Sequence, residues 1–121
     1  MSNRTEHSGL LVCDDFFFIN KVTGTADAVG VALSVAESQV AAERQAAAGP
    51  RFVIVDLGLS GLRLPELVSA LPAENRPAIL AFDSHVNTDR IQAAGEAGCD
   101  DVLPRSRFSA ELPELLKRLA S

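Results

Sequence analysis

The stretch Phe52-Val53-Ile54-Val55-Asp56 contains four consecutive apolar residues, three of them β-branched, and it ends in a carboxylate. Short apolar runs of this composition are typical of strands that are buried on both faces of a parallel sheet. Gly58 and Gly61 follow closely and indicate a loop. The stretch therefore predicts a central strand over residues 52–56, with Asp56 at its carboxyl end.

Working outward from this strand, four more short apolar runs are spaced along the chain, at 9–13, 31–35, 78–82 and 102–103. Segments with helical periodicity or helix-forming composition separate and follow them, at 16–29, 37–48, 65–71, 88–97 and 109–119. Strands that alternate with helices form a parallel sheet covered on both faces. The sequence thus predicts an α/β fold, a single doubly wound (βα)5, flavodoxin-like domain with five parallel strands.

Small residues and caps predict where several helices begin and end. Gly30 and Gly98 should end the first and fourth helices, since glycine readily adopts the left-handed conformation that closes a helix. Asn87 or Thr88 should cap the start of the fourth helix. The segment between Asp56 and the fourth strand is short, so we expect a stunted third helix.

The size and charge of the chain exclude several classes of protein. Its 121 residues fit one domain, and we expect a polar tail over residues 1–8 followed by the domain over 9–121. A net charge of −5 is unsuited to nucleic acid, which needs a basic face, and to anionic membrane surfaces. No apolar signal sequence is visible at the start, and Asp14 and Asp15 interrupt the apolar stretch at 10–19. We therefore expect no membrane association.

The cysteine content points to a reducing compartment. Cys13 and Cys99 are far apart in sequence and form no CxxC pair. Two such residues in a chain of this size are typical of reduced thiols, with Cys13 as a small core residue. The sequence therefore predicts a cytoplasmic protein.

Polar side chains stand where the predicted strands end, and in an open α/β sheet this edge carries the function. They are Asp14 and Asp15, Asp56, Asp83 and Ser84, and Arg105. Carboxylates this close repel one another unless a cation compensates them. Such oxygen ligands suit Mg²⁺, which can also neutralise charge during phosphoryl transfer. The sequence predicts an acidic pocket around Asp56 that binds Mg²⁺.

Three segments together resemble the CheY-like receiver domains of response regulators in two-component signalling. They are Leu11-Val12-Cys13-Asp14-Asp15, Val53-Ile54-Val55-Asp56-Leu57-Gly58-Leu59 and Ala97-Gly98-Cys99-Asp100-Asp101-Val102-Leu103. The resemblance implies that Asp14, Asp15 and Asp56 hold the metal, and that Asp56 accepts a phosphoryl group. It also implies a histidine kinase or phosphotransfer protein as donor and a downstream protein as the receiver of the signal, without enzymatic activity. A homodimer is left open.

The same resemblance has departures that support a second interpretation. Arg105 stands where the family has a lysine, and Val102 where it has a switch aromatic residue. A gapless count places Asp83 where the family has threonine or serine, and shifts of one residue offer Phe82 or Ser84. A carboxylate there would repel a phosphorylated Asp56. The alternative is a phosphorylation-independent pseudo-receiver that acts as a protein-interaction module.

The same residues are also compatible with purely structural roles and with other functions. Asp56 could cap its own loop, Asp14 or Asp15 could cap a helix, and Arg105 could be a plain surface cation. A hydrolase at Ser84-His85 is disfavoured because no G-x-S-x-G motif is present, and no glycine-rich phosphate loop supports a cofactor binder. The three rings at 16–18 must lie on different faces of a helix, so an exposed one is a candidate protein contact.

Overall fold

A five-stranded parallel sheet forms the centre of the molecule in the computed structural model, which describes residues 8–84 and 88–121. The strands are β1 (Gly9–Val12), β2 (Leu33–Ala36), β3 (Phe52–Asp56), β4 (Ala78–Asp83) and β5 (Asp101–Pro104). Their spatial order is β2-β1-β3-β4-β5. The helices are α1 (Phe16–Val29), α2 (Gln39–Ala47), α3 (Leu64–Ala70), α4 (Thr88–Ala97), α5 (Arg105–Ala110) and α6 (Leu112–Ala120). The predicted doubly wound α/β fold is confirmed.

The helices divide between the two faces of the sheet, and each face has its own apolar core. Side chains of α1, α5 and α6 pack on one face, and side chains of α2, α3 and α4 pack on the other. On the first face, the ring centroid of Phe82 lies 4.8 Å from that of Phe18 and 4.7 Å from that of Phe108. The guanidinium of Arg105 lies over two of these rings, Phe18 and Phe82.

Several predicted elements are confirmed at their expected bounds. They are β3, α1 and α4. Gly30 and Gly98 end α1 and α4 with φ angles of 77° and 117°, in the range that glycine tolerates. The third helix has only seven residues, as its short segment predicts. Thr88 is the first residue of α4, and the alternative cap at Asn87 lies outside the described residues.

The prediction for β2 was two residues too early. Its first predicted residue, Val31, donates its backbone N–H to the Ala26 carbonyl at 2.8 Å and so completes the end of α1. Val31 is buried there, as the apolar residue that often follows a glycine-terminated helix. Apolar composition alone could not separate this contact from a strand.

The prediction of one final helix over 109–119 was wrong. Within the described residues, α5 starts directly after β5 and α6 follows it, which makes six helices instead of five. Glu111, with φ −101° and ψ 9°, breaks the two apart. Pro113 explains the break, because its ring excludes the carbonyl four residues earlier from a continuous helix. None of the helices in the described part of the chain has the length and apolarity needed to cross a membrane.

Candidate functional site

Asp56 lies at the carboxyl edge of the sheet, at the end of the central strand. It is 8 % exposed, and its Oδ1 accepts a hydrogen bond from the Gly58 backbone N–H at 2.8 Å. Its Oδ2 accepts a hydrogen bond from the Cys13 thiol at 3.5 Å. Asp56 therefore stabilises the loop that follows β3 and also places a carboxylate at the carboxyl edge of the sheet.

Cys13 has a polar role that sequence reasoning missed, since its apolar neighbours indicated only a core residue. Burial, together with the nearby Asp56 carboxylate, raises the pKa of the Cys13 thiol to about 12. The thiol is therefore protonated at neutral pH and can donate to Asp56. Its position directly after β1, the strand that pairs with β3 so that Val12 lies opposite Val55, was the available signal.

Asp15 and Arg105 form an ion pair across the mouth of the site. An Nη atom of Arg105 lies 2.7 Å from Asp15 Oδ2, while Oδ1 accepts the Phe18 backbone N–H at 3.2 Å. Asp15 is thus both the N-cap of α1 and a member of the edge cluster. The hydrogen bond from Arg105, followed by that from Phe18, lowers the pKa of the Asp15 carboxyl. Arg105 compensates an acidic side chain, as the sequence suggested.

Asp83 forms a second ion pair, with Arg90 of α4. The Asp83 carboxylate belongs to a residue that is 1 % exposed, and it lies 3.0 Å from Arg90 Nε and 3.1 Å from an Arg90 Nη atom. That Nη atom also donates to the Leu57 carbonyl at 2.8 Å. Arg90 therefore joins the end of β4, the start of α4 and the loop after Asp56.

Arg90 was absent from the sequence prediction because it lies far along the chain from Asp56 and belongs to no local motif. The available signal was an arginine in the first turn of the helix that follows an acid-terminated strand. In the register of β3 and β4, Phe82 lies opposite Asp56, while the Asp83 side chain pairs with Arg90. Phe82 is fully buried in the core and Ser84 is exposed.

Ser84 and Asp14 lie further out than the other predicted site residues. Ser84 lines an open groove of about 580 Å³ together with Arg105, Lys21 and Phe17. Asp14 is exposed at the start of the loop after β1. His85, which the sequence places beside Ser84, lies outside the described residues.

The exposed aromatic side chains lie beside this groove. Phe16 is 69 % and Phe17 is 84 % exposed, and their rings meet edge to face with centroids 6.1 Å apart. Phe18 instead is buried in the core, 7 % exposed. The expected divergence of the three rings is confirmed, with two of them on the surface.

The three carboxylates that were predicted to hold Mg²⁺ are not gathered into one ligand set. Among residues 8–84 and 88–121, no three histidine, cysteine, aspartate or glutamate side chains converge so that they could hold a metal ion. Asp15 is neutralised by Arg105, and Asp56 faces the Cys13 thiol. In this arrangement, the residues present do not fit a divalent ion, because the Asp15 carboxylate is already paired with a guanidinium.

Comparison with solved structures identifies the class of fold. The receiver domain of a response regulator from Bermanella marisrubri superposes with a TM-score of 0.80 at 20 % identity, covering 96 % of this chain and 99 % of that one. The receiver domain of a sensor histidine kinase from Pseudomonas aeruginosa, with magnesium coordinated in its active-site cleft, superposes with a TM-score of 0.76 at 23 % identity, covering 93 % and 96 %.

A response regulator from Burkholderia pseudomallei, with a phosphorylated aspartic acid, calcium and citrate, gives a TM-score of 0.71 at 20 % identity, covering 92 % of this chain and 71 % of that one. No family model and no curated protein matches the sequence. The chain therefore has the doubly wound α/β fold, and specifically the fold of response-regulator receiver domains.

Proposed function

We propose that this chain is a receiver module of two-component signal transduction, formed by residues 9–121, that passes its signal on through protein–protein contacts. The receiver fold and the position of Asp56 at the end of β3 support this proposal. The free thiols of Cys13 and Cys99 agree with a reducing, cytoplasmic location.

For the mode of action, the geometry favours a phosphorylation-independent interaction module. The observation that carries this choice is the buried Asp83 carboxylate, which is clamped by Arg90. A phosphoryl group on Asp56 would bring about two further negative charges to the sheet edge at which that carboxylate lies. Like charges at short range disfavour each other, and Arg90 is already engaged by Asp83 and the Leu57 carbonyl. This arrangement of charges disfavours a phosphoryl group on Asp56 and so supports the interaction module.

A second candidate is the phosphorylation switch, and one observation favours it. Asp56 presents a carboxylate at the carboxyl edge of the sheet, and the Burkholderia pseudomallei neighbour is described with a phosphorylated aspartic acid. In that case a histidine kinase or phosphotransfer protein would lose its phosphorus–nitrogen bond. Asp56 would form a phosphorus–oxygen bond, and the histidine nitrogen would take up a proton. Arg105 would be the nearby cation available to the product.

The surface that we propose for the downstream partner is formed by Phe16 and Phe17. Two adjacent exposed aromatic rings are unusual on a free surface and are typical anchors of protein interfaces. They lie at the start of α1, one residue beyond Asp15, so a partner on these rings would also contact the mouth of the pocket. Phe17→Ala and Phe16→Ala should weaken partner binding without unfolding the domain.

The two candidates are separated by treating the protein with a small-molecule phosphodonor and measuring its intact mass. The docking module predicts that wild type and Asp56→Asn both keep their mass, with Mg²⁺ present or absent. A gain of one phosphoryl group by wild type, and none by Asp56→Asn, would establish the switch instead. A receiver domain known to accept phosphate from the same reagent is the positive control.

A further inference from the structure

We infer that Arg105 is a built-in counter-ion that takes the place of a divalent cation at Asp15, so that the pocket is complete without metal. This inference deepens the proposed function, on which it rests for the identity of the pocket. It concerns one ion pair, and it can be tested independently of phosphorylation.

Both oxygens of the Asp15 carboxylate already accept hydrogen bonds. One oxygen accepts the Phe18 N–H at 3.2 Å as the cap of α1, and the other is 2.7 Å from the Arg105 guanidinium. The cap bond fixes the direction of the carboxylate, because α1 is anchored in the core by Phe18 and Val22. A divalent ion at the second oxygen would have to displace the guanidinium or sit directly against its charge.

Arg105 contacts aromatic rings of the core as well as Asp15. Its guanidinium carbon lies 4.2 Å from the centroid of the Phe18 ring and 5.9 Å from that of Phe82. Cations over aromatic faces are attracted to the ring electrons, and planar guanidinium stacks better than ammonium. Arg105 also follows β5 directly, so the sheet fixes its backbone.

A second arginine of α5, Arg107, forms an ion pair that is more exposed than the Arg105–Asp15 pair. Arg107 pairs with Glu111 at 2.9 Å, but the two side chains are 61 % and 46 % exposed, whereas those of Arg105 and Asp15 are 29 % and 38 % exposed. No aromatic contact is found for Arg107 among the described residues. Arg107 is therefore the matched control, a similar pair away from the carboxylates of the sheet edge.

The experiment is a Mg²⁺ titration followed by amide NMR on wild type, Arg105→Gln and Arg107→Gln. Wild type and Arg107→Gln should show no saturable shifts around Asp15 and Asp56. Arg105→Gln should acquire saturable binding, tighter by about tenfold or more, since removing a unit charge about 5 Å from the ion has at least that effect at an effective dielectric constant near 20. Asp15→Asn combined with Arg105→Gln should abolish the gain.

Saturable Mg²⁺ binding by wild type, or no gain of binding in Arg105→Gln, would overturn the inference. If Arg105→Gln fails to fold, Arg105→Lys keeps the charge with a different reach and should bind Mg²⁺ more tightly than wild type, and equal affinities would count against Arg105. The proposed function fails separately. Wild type that accepts phosphate contradicts the docking module even if Arg105→Gln gains Mg²⁺, and wild type that binds Mg²⁺ without accepting phosphate contradicts only the inference.

Discussion

The two acid–arginine pairs at the sheet edge differ in burial and therefore in what they do. Asp83 is 1 % exposed and receives one hydrogen bond and one further ion-pair contact from Arg90, which also binds the Leu57 carbonyl. The Asp15 side chain is 38 % exposed and receives one short bond from Arg105. A buried carboxylate depends on its partner, whereas a half-exposed one can exchange its partner for water. The Asp83–Arg90 pair therefore stabilises the fold, whereas the Asp15–Arg105 pair sets the charge at the mouth of the site.

The largest expected effect comes from breaking the buried pair. Arg90→Ala should lower the free energy of unfolding by about 2–3 kcal/mol, below the 3–5 kcal/mol of a fully buried pair because the Arg90 side chain is 42 % exposed. Chemical denaturation measures this change. The control is Arg107→Ala, which removes an exposed pair, and an equal loss in both variants would show that Asp83 does not depend on Arg90.

A double-variant cycle sharpens the same point. Asp83→Leu with Arg90→Met replaces both charges by apolar groups, and it should recover part of the stability that Arg90→Met alone loses. We expect a coupling energy of more than about 1 kcal/mol between the two positions, since the side chains are in direct contact. Strictly additive changes in the free energy of unfolding would show that Asp83 and Arg90 are not coupled.

A smaller effect is expected at the half-exposed pair, and it should depend on pH. The folded state holds the pKa of Asp15 below its ordinary value, so the pair contributes its full stability at neutral pH and loses it as the pH falls through that lowered pKa. In Arg105→Gln the Asp15 pKa should rise, with the Phe18 hydrogen bond still holding it down in part. Carboxyl NMR titration of both proteins measures this shift, and identical titration curves would contradict the pair.

The smallest effect is expected at the Cys13 thiol, which donates a hydrogen bond to Asp56. With its pKa at about 12, Cys13 should be thiolate in only about one molecule in a hundred thousand at pH 7, and alkylation of the native protein should be very slow. Asp56→Asn should lower this pKa modestly, because burial remains its main cause. Alkylation rates measured against pH report the difference. Rapid labelling of Cys13 in the folded wild type would contradict its burial.

The sequence predicted well wherever one local physical cause decides the structure. The β-branched run at 52–56 can pack only as a buried strand, and glycine at Gly30 and Gly98 permits the conformation that ends a helix. The sequence-based prediction failed where the same residue type fits two different structures. Val31 is apolar whether it continues a strand or closes α1, and Pro113 fits both the first turn of a helix and a break within one.

The site shows the same division between local and distant causes. Strand ends placed Asp15, Asp56, Asp83 and Arg105 at one edge without any knowledge of packing. The partner of each side chain was not predictable, because pairing depends on how α4 and α5 pack against the sheet. Arg90 is the clearest case, since its link to Asp83 and Leu57 exists only in three dimensions.

The most direct test of the central claim is a beryllofluoride titration, with Mg²⁺ present, of wild type and of a variant that restores the family pattern, Asp83→Thr with Arg105→Lys. Beryllofluoride mimics a phosphoryl group on aspartate, and amide NMR detects its binding. The account predicts an unchanged wild-type spectrum and shifts around Asp56 in the restored variant. Wild-type shifts around Asp56 that vanish in Asp56→Asn would contradict it.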